Sequence, residues 1–175
     1  RQVKSERCWK IPYLVMKDLG GFEFNRLLNL GLKEIKEKFS QQNLHRFNDK
    51  MAEYFYLAIQ RIHNKYNDDV SNIWKDKPLA VTVVRRFIEF EGIGPKIASM
   101  ATNILVRQLK IPLKDLSAID ISTDVHVIRG MKNLGFVPKD ASKEYITLRA
   151  RELYPEYPGI LDIGLFEMGK GKSKF

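Results

Sequence analysis

The chain is poor in the residues that commit a protein to metal or disulfide chemistry. Its single cysteine, Cys8, excludes an internal disulfide framework and any multi-cysteine metal site. No cysteine or second histidine stands at ligand spacing from His126, so the sequence predicts no metal. Long hydrophobic runs are missing as well. The longest apolar stretches, such as Ile11 to Met16, are far too short to cross a bilayer, and no signal peptide is legible. No membrane partner is therefore expected, and a reducing, intracellular setting (cytoplasm or nucleoid) is the natural one. Convincing strand alternation and hairpin dipeptides are absent too, which predicts an all-α class.

What the chain does contain is basic charge and helical periodicity. Lysine and arginine number 30 against 21 acidic residues, a formal charge of +9. Basic side chains gain by releasing counterions from a phosphate backbone, so a polyanionic partner leads, although the same balance also serves plain solubility. At 175 residues and 44% hydrophobic content, the chain can bury a real core in one domain or in two small lobes sharing a cleft.

Apolar residues recur at steps of three and four along most of the chain. Leu44, Phe47, Met51, Phe55, Ala58 and Ile62 line one face of a long helix, with Asn43 as its N-cap. Further helices are predicted over about 4–18, 23–29, 32–40, 77–90, 95–109, 123–134, 142–153 and 158–168. Gly20-Gly21, Gly31, Gly135 and Pro138 mark breaks. "KIPLKDLSAIDIS", Lys110 to Ser122, interrupts the pattern and is read as a crossover between lobes. The opening "RQVKSERCWK" has no helix start signal, as though further sequence preceded Arg1, and "MGKGKSKF" makes a short basic tail.

One stretch stands apart: "EGIGPKIAS", Glu91 to Ser99. An apolar face of Val83, Val84, Phe87, Ile88 and Phe90 leads into it, and Ile97, Ala98, Ala101 and Leu105 form the inner face of the next helix. Gly92 and Gly94 can take positive φ at little cost, and Pro95 suits a first helical position. Backbone N–H groups left uncovered at such a helix start make a site for one phosphate. An ordinary glycine-rich turn between helices would look the same from the glycines alone.

"EGIGPKIA" resembles the helix-hairpin-helix element of the DNA glycosylase superfamily related to endonuclease III, and "STDVHVIRGMKNLG" resembles the aspartate motif that follows it there. The resemblance implies two helical lobes, a helix-hairpin-helix and a central DNA-binding cleft. It puts Lys96 on the position of the nucleophilic lysine of bifunctional members and Asp124 on that of the essential aspartate. Asp120 competes for the latter role, but "DVHVIR" favours Asp124. Lys96 and Asp124 stand 28 residues apart, more than the endonuclease III branch leads one to expect, with the extra length in "RQLKIPLKDLSAID". Gly92, Ile93 and Gly94 would grip DNA through their N–H groups, Gln2 would fill the gap left by a flipped base, and His126 lies beside the aspartate. "LFEMGKGKSKF" lacks the cysteines of the endonuclease III iron–sulfur cluster, so this chain cannot hold that cluster, and no cofactor is expected.

The chemistry suits these residue types. Breaking an N-glycosidic bond places positive charge on the sugar, which a carboxylate near C1′ stabilises. An aspartate at a helix N-terminus is favoured as the anion. An amine nucleophile must be unprotonated to attack, and attack at C1′ yields a Schiff base and then strand nicking by β-elimination. The target base must leave the duplex to reach the site. Trp9, Tyr13, Phe166, Trp74 and the Phe87–Phe90 pair are candidate stacking aromatics, though helical spacing also makes them core residues. The reading is a monomeric glycosylase and AP lyase on damaged double-stranded DNA, with a first lobe over 1–118 and a second over 119–175. An 8-oxoguanine-specific enzyme and a non-catalytic helix-hairpin-helix DNA-binding module are its rivals.

Overall fold

A computed structural model describes residues 10–21, 23–42 and 47–171. Gln2, Cys8, Trp9, Leu44 and the predicted cap Asn43 fall outside the described residues. Among those described there are nine α-helices and no strand, so the chain is all-α. In order these are α1 (Ile11–Asp18), α2 (Phe24–Leu28), α3 (Leu32–Gln42), α4 (Asn48–Tyr66), α5 (Ala80–Ile88), α6 (Pro95–Arg107), α7 (Val125–Asn133), α8 (Lys143–Leu153) and α9 (Asp162–Gly169). Two 3-10 turns, Val70–Ile73 and Pro158–Leu161, add to them. The helix expected over 158–168 is therefore two elements. Tyr157 and Pro158 start a tight turn, and the α-helix begins only at Asp162.

The helices belong to two compact units, Arg1–Asn72 with Phe90–Gly92, and Ile73–Glu89 with Ile93–Phe175. In the first, Val15, Met16, Leu19, Leu27, Ile35, Phe39, Ala52 and Ile59 make one core. Ile35 and Phe39 are four residues apart and so share a face of α3, which packs on α4. On α4 the buried line is Ala52, Ile59 and Tyr66, whereas Phe47 is 54% exposed and Met51 38%. The buried face is thus rotated from the one read off the sequence, and α3 and α2 pack on α4. Phe90 stacks on Tyr66, ring centres 6.1 Å apart.

The second unit has one core of Ile121, Val127, Met131, Val137, Ile146, Ala150 and Leu165, and another of Ala80, Ile119 and Tyr157. Its tightest pairing is α7 on α9. Two glycines allow it: a Cβ on Gly130 would lie 2.3 Å from the Leu165 carbonyl oxygen, and one on Gly169 would lie 1.8 Å from that of His126. The boundary expected between 118 and 119 falls inside this unit, since Ile119 is fully buried there with Ala80 and Tyr157.

Lys110 to Ser122 likewise lies within the second unit and enters its core at Ile119, Ile121 and Ser122. An irregular buried segment must satisfy its backbone polar groups, and α6 does so with polar residues on its inner face. Ser99 Oγ donates to the Asp120 carbonyl at 2.9 Å, and Asn103 Nδ2 donates to the Gly159 carbonyl at 2.8 Å. The Gly159 N–H donates to the Ile119 carbonyl at 2.7 Å, and the Tyr157 hydroxyl donates to Asn103 Oδ1. Asp115 accepts from the Ala80 N–H at 2.8 Å, which caps α5 from a distant part of the chain. The inner face of α6 is therefore Ala98, Ser99, Thr102, Asn103 and Leu105, and Ile97, expected inside, is 45% exposed.

Candidate active site

The turn between α5 and α6 shows why its glycines differ. Gly92 has φ +80, and a Cβ there would stand 2.4 Å from two ring carbons of Tyr54, so both backbone and packing demand glycine. Gly94 is another matter. It sits at φ −93 and ψ 175, extended backbone open to any residue, and a Cβ would meet nothing within 4 Å. The positive φ expected at Gly94 is not adopted, because Gly94 serves as the extended N-cap of α6. Having no side chain, it leaves the first turn of α6 without a side-chain cap, and Pro95 follows at the helix start. Lys96, next along, is exposed, and Ile93 is half-buried.

Asp124 begins α7. Its Oδ1 accepts from the N–H groups of His126 at 2.8 Å and Val127 at 2.9 Å, which makes it the N-cap. Ser122 and Thr123 could each have supplied that cap on sequence grounds. Ser122 does not, because its hydroxyl and its N–H are both drawn to Asp162, the first residue of α9, at 2.9 and 2.7 Å. The Asp124 N–H then donates to the Ser122 carbonyl at 2.7 Å.

Asp162, half-buried, was not visible as a site residue in the sequence. Burial pushes its carboxyl above the ordinary carboxylate range, while the bonds from Ser122 pull it back. The nearby charge of Asp124 adds to the rise, and that of Lys96 opposes it. Lys96, Asp124 and Asp162 thus start three helices, α6, α7 and α9, and the charges of the first two both reach the third.

No family model, curated protein or solved structure matches the chain. The site is therefore read from its own chemistry.

Asp120 is held apart from this cluster by Arg151, whose guanidinium binds its two oxygens at 2.8 and 2.9 Å. That pairing, with its hydrogen bonds first, raises the Arg151 pKa. The His126 ring packs edge-on against Phe166 with centres 5.1 Å apart, and its Nδ1 is buried without a hydrogen-bond partner. Lys170 Nζ covers Phe166 at 4.2 Å from the ring centre. Phe166 is therefore engaged inside its own unit, and His126 contributes to the cluster through its backbone. Gln2 lies outside the described residues, so the candidate site is the three helix starts that carry Lys96, Asp124 and Asp162. Among the described residues, no group of three or more His, Cys, Asp or Glu is placed to hold a metal, and no helix is long and apolar enough to cross a membrane.

Proposed function

We propose that the chain is a bifunctional DNA glycosylase and AP lyase of the helix-hairpin-helix superfamily, acting as an intracellular monomer on damaged double-stranded DNA in base excision repair. The reading is supported by one observation above the rest: an exposed lysine opens α6 directly after a glycine turn, and an aspartate whose Oδ1 caps α7 is held in a fixed orientation. An amine nucleophile and a fixed carboxylate are the two groups that base excision with strand nicking requires.

In this mechanism Lys96 Nζ attacks C1′ as the C1′–N bond breaks, and the damaged base leaves with the bonding electrons. The amine–sugar adduct opens to a Schiff base after proton loss. Removal of a C2′ proton then expels the 3′ phosphate and nicks the strand. Asp124 stabilises the positive charge that develops on the sugar and relays protons. One Asp124 oxygen is engaged by the helix it caps, which holds the carboxylate in one orientation. The Gly92–Gly94 backbone grips a DNA phosphate at the α6 N-terminus. That no side chain fills the space at Gly94 supports close approach of a phosphate, since the chain's own packing does not call for glycine there.

Borohydride trapping tests the reading. The wild-type chain on duplexes carrying an abasic site or one defined oxidised base should give a covalent adduct that disappears in Lys96→Gln. Absence of an adduct on every duplex, with DNA binding retained, would leave a non-catalytic DNA-binding module. The same panel separates an oxidised-pyrimidine preference from 8-oxoguanine.

A further inference from the structure

Asp162 belongs to none of the roles just described, yet it contacts the segment that presents Asp124. Its Oδ1 accepts from the Ser122 N–H at 2.7 Å and from Ser122 Oγ at 2.9 Å, with Oδ2 3.2 Å from the same hydroxyl. Ser122 is 4% exposed, and its carbonyl accepts the Asp124 N–H at 2.7 Å. Asp124 in turn caps α7. An unbroken series of hydrogen bonds therefore runs from the start of α9 through Ser122 to the start of α7.

The choice of side chain is informative. A neutral asparagine could accept from the Ser122 N–H just as well. A carboxylate instead brings a like charge towards Asp124 and is penalised by burial, both of which act against its ionised form. The Ser122 N–H and hydroxyl both donate to Oδ1, and the carboxylate adds Oδ2, 3.2 Å from the same hydroxyl, and a charge that strengthens these bonds. The charged and titratable groups around it are Lys96 from α6, Asp124 from the start of α7, and Tyr157 ahead of the 3-10 turn, itself near Arg107.

We propose that Asp162 is a positioning residue: through its bonds to the Ser122 N–H and hydroxyl it fixes the turn that presents Asp124. The inference rests on the lyase reading for its catalytic consequence. The clamp on Ser122 can be tested without it.

The experiment uses the full chain with Asp162→Ala and Asp162→Asn. Under single-turnover conditions on an abasic duplex, Asp162→Ala should slow adduct formation by about tenfold to a hundredfold, as expected for slight misplacement of a catalytic group, with DNA affinity within about twofold. Asp162→Asn, whose amide oxygen can accept both Ser122 bonds, should recover the rate to within about threefold. In the amide spectrum, the Ser122 N–H should titrate with the Asp162 carboxyl in the wild type and lose that titration in Asp162→Asn. A wild-type rate in Asp162→Ala, or a rate in Asp162→Asn as low as that of Asp162→Ala, overturns the positioning role. If Asp162→Ala does not fold, the titration of the Ser122 N–H in the wild type decides. Should the wild type form no adduct at all, the lyase reading fails by itself, and the Ser122 titration alone upholds or removes the clamp.

Discussion

Asp120 and Arg151 form a two-point ion pair, Nε donating to one carboxylate oxygen at 2.8 Å and Nη2 to the other at 2.9 Å. Two parallel charge-assisted bonds fix both partners, so Asp120 is spoken for by α8 while the Asp124 side chain caps α7. Asp124→Asn is therefore expected to lower single-turnover excision by about a hundredfold to a thousandfold, the usual worth of a group that stabilises transition-state charge, with DNA affinity within about twofold. Asp120→Asn should leave the rate within about threefold and cost about 1 kcal/mol or less in stability, since Arg151 is half-exposed. Equal losses of rate from the two substitutions would mean that Asp124 is only a cap.

The close approach of α7 and α9 gives a prediction that does not depend on function. Gly169→Ala and Gly130→Ala each force a Cβ into a backbone carbonyl that cannot swing aside. Each should cost about 3 kcal/mol, at the upper end of overpacking penalties, read from urea unfolding. Gly164→Ala is the control. It lies in the same helix with nothing within 4 Å of its Cβ, so it should be neutral or stabilise by up to about 1 kcal/mol through helix propensity.

Gly92 and Gly94 should separate packing from recognition. Gly92→Ala meets the Tyr54 ring at positive φ and should destabilise by about 1–3 kcal/mol, as strained and overpacked sites do. Gly94→Ala should change stability by less than about 0.5 kcal/mol, because it touches nothing in the chain. If a phosphate rests there, the added methyl should weaken DNA binding about tenfold, equivalent to about 1.4 kcal/mol. Unchanged affinity in a titration of a labelled duplex would remove Gly94 from the interface.

A pH dependence follows from Asp162. Its folded-state pKa is raised, first by burial, so the unfolded chain gives up this proton more readily than the folded one. The stability linked to this group is present below the ordinary aspartate range and is lost as pH rises through the raised value. Asp162→Asn does not ionise. Its urea midpoint relative to wild type should therefore improve between mildly acid and neutral pH, and a difference that stays flat over that range contradicts the shift.

Much of this architecture is legible in local patterns. The positions of α3, α6, α7 and α8 follow from apolar periodicity and breaks within a few residues. The Gly92 reversal follows from glycine, the residue that takes positive φ at least cost. Less legible are the buried faces. Periodicity assigns Ile97 to the interior of α6, yet polar Ser99 and Asn103 occupy it because the segments before α7 and α9 need donors for their carbonyls. Hydrophobicity cannot anticipate that demand, since the demand arises elsewhere in the chain.

The sequence by itself determined an all-helical chain, its basic charge, and a glycine turn with Lys96 and Asp124 each at the start of a helix. These depend on periodicity, composition and local turn chemistry, which act over a few residues. Tertiary structure alone decided which oxygen caps α7. Ser122, Thr123 and Asp124 are all capping residue types; Asp162, 40 residues further on from Ser122, takes the serine hydroxyl for itself, and Asp124 Oδ1 takes the α7 N–H groups. It also decided that Asp120 is paired and that Asp162 stands with Lys96 and Asp124. Charges and hydrogen bonds of that kind depend on distance in space, which only the packing of α6, α7 and α9 supplies.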